Sequence, residues 1–412
     1  MIIPNRGLGG AQRAFHDHGV ALRDYYDITE VIFNEDEPDL YPSGNAVRSL
    51  GVPGGGGPLT KLQNFYQRVA RLRVLKRELM CDVAISHLEG ADYVNLLSKG
   101  REKVMLLIQG SKVHDGEIKG GLGWLRKRLL MPWLYRRADK VVTVSRDIIP
   151  EMTEVFGVPR DRLSAINNSF DVEKVCERSQ EPLPAATQAA IYVGDVPVLV
   201  TSGRLAIQKN QAPLLNIFAA LLKRRPVKLV FVGDGELRDE LGQRARALGL
   251  RVYLAWESAP LAPNYDVYFV GLQSNPFQYI RPAELFVFPS AWEGFPLALG
   301  EAMTCGTACV TTDCPTGPRE MLAPDSPLPG QPIRQAEWAP YGVLMPMLTK
   351  ADTLAADQAV WVEVLDQLLS DDTRRQQLGT AAYQRALYFT HKVTFERWHH
   401  LIDKTLGATA TV

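Results

Sequence analysis

Glu293 and Glu301 have seven residues between them in SAWEGFPLALGEAM, the segment from Ser290 to Met303 that follows the apolar run LFVFP. A proline in the first helical turn with small residues around it leaves backbone N–H groups free at a helix N-terminus. Phosphate or sugar hydroxyls bind such a place. Glu293 falls in the loop before that helix and Glu301 on it, so the two carboxylates can address different parts of one elongated ligand. The plainer alternative is a capping acid and a surface glutamate. A second group lies in VLVTSGRLAIQKNQ, where Gly203, Arg204 and Lys209 follow a strand. Two cations beside a glycine turn suit a diphosphate, whose departing charge they neutralise without metal. Two solvated surface cations remain the alternative. LVFVGDGELRDEL puts Gly233, Asp234 and Gly235 at another strand-to-helix turn. Near the start, Gly7, Gly9 and Gly10 precede a helical pattern and could admit an anionic ligand to the backbone. As a dinucleotide fingerprint this start is poor, because Gln12 stands where a third glycine or alanine is needed.

Short apolar runs must position these residues. EVIFN, DVAISHL, KVMLLIQ and KVVTVS in the first half, and VLVTSG, KLVFVGDG, VYFVG, LFVFPS and ACVTTD in the second, alternate with amphipathic stretches. That alternation predicts doubly wound parallel sheets, with ligands at the carboxyl ends of the strands. The Pro-, Ala- and Gln-rich stretch near ERSQEPLPAATQAA breaks the series. It divides the chain into a first domain over 1–180, a linker over 181–195, a second domain over 196–389 and a closing helix over 390–412, which would pack back on the first domain. GVPGGGGP, from Gly51 to Pro58, reads as a loop. Met1 to Ile3 leave three residues where a buried strand usually takes about five, so a start further upstream is expected.

With 412 residues the chain exceeds the usual reach of one core. Lys plus Arg equal Asp plus Glu at 46 each, so no global field selects nucleic acid as a partner. Between Lys61 and Lys140, however, seventeen basic residues face eight acidic ones. Five cysteines without CxxC spacing argue against a zinc site or a disulfide framework and fit a reducing cytoplasm. No apolar run is long enough to span a bilayer.

Together these segments resemble the retaining glycosyltransferases of the GT-B fold, family four. The resemblance covers nearly the whole chain: the Glu-x7-Glu pair, the GRL…KN turn, the GGAQR start, the VGDGE turn and the block TDCPTGPREML. GLQSNPFQYIRPAELFVFPSAWEGFP is similar to the branch that builds bacterial surface polysaccharides. The resemblance implies two Rossmann-like α/β domains facing across a cleft, and transfer of a hexose or N-acetylhexosamine from a nucleotide diphosphate sugar, a UDP-sugar first of all. The acceptor would be a glycan or a lipid-linked acceptor, and the anomeric configuration would be retained. Arg204 and Lys209 would grip the pyrophosphate beside Gly203 and Gly233. Glu301 would bind the ribose and Glu293 face the transferred sugar. Backbone N–H groups from Gly294 through Phe295, Pro296 and Leu297 to Ala298 would meet sugar hydroxyls and phosphate. Gly9 and Gly10 would close on the phosphate from the first domain, and Leu272 to Asn275 would border the base. No cofactor or metal is expected, since no hydrophobic strand ends in a DxD motif.

The sequence departs from that family at Gln109, where many relatives carry a histidine after the first-domain strand. His114 follows five residues later and is the alternative catalytic histidine or a solvated bystander. RVARLRVLKREL, from Arg68 to Leu79, and GWLRKRLLMPWLYRRADK, from Trp124's neighbour to Lys140, mix tryptophan and leucine with cations. Such segments suit an anionic membrane surface or a lipid-diphosphate acceptor, giving a cytoplasmic enzyme peripheral on the inner face of the membrane. Two ordinary amphipathic helices are the alternative. Paired carboxylates also serve glycoside hydrolases, but the adjacent cations favour a departing diphosphate. The rival from another class is a nucleotide or nucleotide-sugar binding protein without turnover.

Overall fold

The computed structural model describes the chain except Leu8, Glu37, Pro38, Leu40 and residues 115–119 and 408–412. The chain forms two units, Met1–Ser169 with His391–Val412, and Phe170–Thr390.

In the first unit, β1 (Thr29–Ile32), β2 (Ala46–Ser49), β3 (Val83–His87), β4 (Lys103–Ile108), β5 (Lys140–Thr143) and β6 (Leu163–Ala165) are all parallel to their neighbours. Met1 to Ile3 join the two halves of this sheet. Ile2 bridges to Val31 on one side and Ser86 on the other, its N–H donating to the Ile85 carbonyl at 2.8 Å and its carbonyl accepting from His87 at 2.9 Å. Three residues thus occupy a full strand position, with ladder bonds on both edges. Val104 to Ile108 are at most 1% exposed, as expected of a central strand covered on both faces.

The second unit has the order β13-β14-β12-β11-β7-β8-β10-β9. Its strands are β7 (Val198–Ser202), β8 (Lys228–Val232), β9 (Val252–Leu254), β10 (Val267–Phe269), β11 (Leu285–Phe288), β12 (Ala308–Thr312), β13 (Glu337–Ala339) and β14 (Gly342–Met345). Only β13 at the edge runs antiparallel. The core beneath includes Leu199, Phe231, Val287, Val310 and Trp361, with Phe231 and Phe269 stacked at 4.4 Å.

The division differs from the one read from composition. The chain enters the second unit at Phe170, and the stretch expected to be a linker folds into it. Ala185–Ile191 is a helix with Ala190 and Ile191 buried. Lys228 Nζ donates to both of their carbonyls, at 2.9 and 3.0 Å. Burial of two apolar residues and satisfaction of two helix-end carbonyls outweigh the composition. The final helix, His391–Leu406, belongs to the first unit. It packs on helix Gly10–Leu22, with the Trp398 ring 4.9 Å from that of His18.

Candidate functional site

The second unit gathers most of the expected residues at the carboxyl ends of β7, β8 and β11. Glycine makes the first approach possible. A Cβ on Gly233, at φ 141°, would lie 2.1 Å from the Gly203 carbonyl oxygen. The two turns are stitched by Gly203 N–H to the Val232 carbonyl at 3.0 Å and Leu205 N–H to the Asp234 carbonyl at 3.0 Å. From there a short turn, Ile207–Lys209, leads to Asn210, whose left-handed φ of 49° reverses the chain before helix Gln211–Leu222. Gln208 ties this turn to the loop after β11: its side chain donates to the Trp292 carbonyl at 2.9 Å, and its carbonyl accepts from Ala291 N–H at 2.8 Å.

The result is a buried ion pair. Lys209 Nζ lies 2.6 Å from Glu293 Oε1, with side-chain exposures of 18% and 6%. The ammonium also stands 4.8 Å above the Phe288 ring, a favourable place for a cation. An ammonium carries three protons, so a contact with Glu293 leaves capacity for phosphate oxygens. Arg204 behaves differently. Its side chain is 63% exposed and its Nε lies 3.0 Å from Glu236, in the VGDGE turn.

Glu293 is held by its backbone as well. Its N–H donates to the Pro315 carbonyl at 3.3 Å, and its carbonyl accepts from Thr316 Oγ1 at 2.5 Å. Helix Leu297–Thr304 follows. Within the stretch expected to supply N–H groups, Gly294, Leu297 and Ala298 can donate, whereas Pro296 has no N–H to give. The Phe295 ring is core, 6.1 Å from Phe170 and 5.0 Å from Phe389. Glu301 lies partly exposed on the helix. Of the residues expected at the base, Leu272 is 61% exposed. Asn275 is buried, its amide donating to the Arg178 carbonyl and Glu181 Oε2, both at 2.8 Å, so that side chain holds the incoming segment instead.

Gly9, Gly10 and His114 lie in the first unit. Gly10 begins its helix and Gly9 caps it, close to Gln12, whose amide donates to Asn5 at 3.0 Å. His114 is exposed, in the loop after β4. Its Nδ1 is 2.9 Å from Ser111 Oγ. Glu151 pins that loop, accepting from Ser111 Oγ at 2.6 Å and from the N–H groups of Lys112 and Val113 at 2.6 and 3.0 Å. Gln109, at the end of β4, has its amide nitrogen 3.5 Å from Nδ1 of the fully buried His87. Burial holds His87 well below its ordinary pKa, and burial, helped by His391, pushes His18 down to about 3. Both are neutral rings at neutral pH.

Thr316, Gln208, Glu236, Glu151 and His87 escape sequence reasoning. The blocks TDCPTGPREML and VGDGE contain Thr316 and Glu236, but as patterns without a stated role for either.

Two family models match the chain: "Glycosyl transferases group 1" over residues 196–328 and "Glycosyl transferase 4-like domain" over 8–169. Among curated proteins, the N-acetylgalactosamine-N,N'-diacetylbacillosaminyl-diphospho-undecaprenol 4-alpha-N-acetylgalactosaminyltransferase of Campylobacter jejuni is 25% identical over 79% of this chain and 83% of its own. The amylovoran biosynthesis glycosyltransferase AmsD of Erwinia amylovora is 22% identical over 96% of both. Among solved structures, Anabaena HepE in complex with UDP and glucose superposes with a TM-score of 0.72 over 98% of each chain at 17% identity.

Proposed function

The chain belongs to the group 1 glycosyltransferases, enzymes of the GT-B fold that use nucleotide-sugar donors, and on that premise we propose that it moves a hexose or N-acetylhexosamine from a UDP-sugar to a lipid-linked glycan with retention. The observation that carries this reading is the Lys209–Glu293 contact at 2.6 Å, beside glycine turns that bring two strand ends together. It puts a cation for the diphosphate next to an acid for the sugar, at the edge where open α/β sheets bind ligands.

The roles we assign are those that the family resemblance implies. Lys209 and Arg204 take the diphosphate oxygens and stabilise the departing nucleotide. Arg204 exchanges Glu236 for phosphate, an easy exchange at an exposed pair. Glu293 orients the transferred sugar and Glu301 the ribose. The leaving phosphate oxygen takes the proton of the acceptor hydroxyl on the same face, so no covalent enzyme intermediate forms. His114 then needs no proton-transfer role. Neutralisation by two side chains makes the reaction metal-independent.

UDP as the base-bearing carrier is supported by the HepE complex, and a lipid-linked acceptor by the activity for which the Campylobacter relative is named. Among the described residues no helix is long and apolar enough to cross a membrane. Trp124, Leu129 and Trp133 are nonetheless 64%, 60% and 51% exposed, and the Arg137 guanidinium stands 3.7 Å over the Trp133 ring. On helix Pro58–Glu78, Leu59, Leu62 and Tyr66 are exposed among its cations. These faces suit peripheral contact with anionic lipid on the cytoplasmic side.

The test is nucleoside diphosphate release from a panel of nucleotide sugars, with and without membrane lipid extract, in the presence of a chelator. Release from one UDP-sugar, raised by the extract, is expected. Nucleotide binding without release under any condition would instead mark a binding protein.

A further inference from the structure

The loop after β12 grips the catalytic end of the β11 loop from outside. Thr316 has a φ of 63°, the left-handed region that a β-branched side chain tolerates poorly. It is 9% exposed, and its hydroxyl donates to the Glu293 carbonyl at 2.5 Å. The preceding residue, Pro315, accepts the Glu293 N–H at 3.3 Å. The following one, Gly317 at φ 92°, approaches so closely that a Cβ there would lie 2.6 Å from the Gly294 carbonyl oxygen. The loop itself cannot yield easily. Asp313 N–H donates to the Met345 carbonyl at 2.8 Å, and the buried Arg319 guanidinium binds Asp313 at 2.7 and 2.9 Å.

A glycine at position 316 would remove the strain. The threonine supplies one thing glycine lacks, a hydroxyl aimed at the Glu293 carbonyl. Because a trans peptide is planar, its C=O and the following N–H point in opposite directions. Fixing the Glu293 carbonyl toward Thr316 therefore turns the Gly294 N–H away from the loop. Gly294 is buried, and its N–H donates to no described residue. A buried N–H of this kind calls for an acceptor.

We propose that Thr316 is a positioning residue that uses a strained backbone to lock the Glu293–Gly294 peptide, aiming the Gly294 N–H at an oxygen of the donor and holding Glu293 in register with Lys209. This rests on the reading of Glu293 as the acid that faces the transferred sugar.

Three variants test it: Thr316→Gly, which relieves the strain and removes the hydroxyl, Thr316→Val, which keeps the shape without the hydroxyl, and Thr316→Ser, which keeps the hydroxyl. Thr316→Gly is expected to melt at or above the native temperature yet lose transfer tenfold or more. Thr316→Val should lose transfer likewise, and Thr316→Ser should restore most of it. UDP affinity, which depends on Arg204 and Lys209, should be the same in all. A merely structural threonine would make activity follow stability. Native transfer by Thr316→Gly would overturn the proposal. The affinity of a UDP-sugar relative to UDP is read alongside, since the Gly294 contact contributes there even without turnover. If the native chain releases no nucleoside diphosphate, the transferase reading fails. A relative affinity unchanged by Thr316→Gly would then sink the positioning role too, and a relative affinity lowered by it would sustain that role alone.

Discussion

The two sheets end in opposite chemistry. In the second unit the carboxyl ends of β7, β8 and β11 carry a buried ion pair, Lys209 with Glu293, and turns stitched backbone to backbone. In the first unit the ends of β3 and β4 carry His87, buried and neutral, and the neutral amide of Gln109, with His18 behind them. All seven histidines of the chain, His16, His18, His87, His114, His391, His399 and His400, belong to the first unit. The ends of β7, β8 and β11 carry paired charge and the ends of β3 and β4 aromatic and amide groups that stay neutral at neutral pH, the first unit's own buried ion pair, Lys76 with Glu102, lying at the amino end of β4. Proton uptake and charge removal should therefore act on different units.

The sharpest break is Glu293→Ala. It should lower transfer by roughly 10² to 10³-fold, the range for losing one preorganised polar group at a reacting centre, while UDP affinity stays near native. Equal loss of UDP affinity would move Glu293 from the sugar to the nucleotide. Lys209→Ala comes next. A lost charge-assisted contact weakens UDP binding by about 1.5 to 3 kcal/mol, and Glu293 is left buried without its counter-ion, so the melting temperature should fall as well. Arg204→Ala should weaken UDP binding similarly but leave melting unchanged, because its partner Glu236 is exposed and such pairs contribute little. Titration calorimetry with UDP and thermal melts of both variants decide whether one cation is structural and the other is not.

Acid sharpens the comparison from the other side. An unfolded chain protonates His18 near its ordinary value, whereas the folded chain does so only at about 3. Between those values the unfolded state binds more protons, so this stability is present above the ordinary pKa and is lost as pH falls through the window. By pH 5 the loss is about 2 kcal/mol from His18 alone, and His87 shifts in the same direction. Asp92 of the same unit, pushed up to about 8 by burial, works in the opposite sense, so the histidine contribution is read by comparison: His18→Phe should lose less stability between pH 7 and pH 5 than the native chain. An equal loss in both would mean that His18 does not govern it.

Much of this was legible in the chain. Every one of the nine apolar runs read as a strand falls on one, because buried parallel strands are continuous and β-branched. Lys209 and Glu293 were expected at one site and meet there. The reading faltered where tertiary pairing rather than composition decides. Met1 to Ile3 became a strand position because both neighbours offered free edges, and part of the proline-rich stretch became a helix with one buried face because Lys228 satisfied its carbonyls. Thr316 stood in a block that carried the resemblance but without a role, since nothing in a threonine announces a left-handed φ.

The smallest effect expected is that of His114→Ala, and it tests the neutral character of the first unit. His114 contributes one hydrogen bond to Ser111, worth about 1 kcal/mol or less at an exposed position. Ser111 still donates to Glu151 without it, and Glu151 still holds Lys112 and Val113, so the loop after β4 keeps its shape. Transfer should stay within about threefold of native, and the pH–rate profile should keep its acid limb, since in the proposed mechanism the departing phosphate rather than an imidazole receives the acceptor's proton. A tenfold loss together with disappearance of a limb near the ordinary histidine pKa would put proton transfer on His114 and end the contrast between the two units.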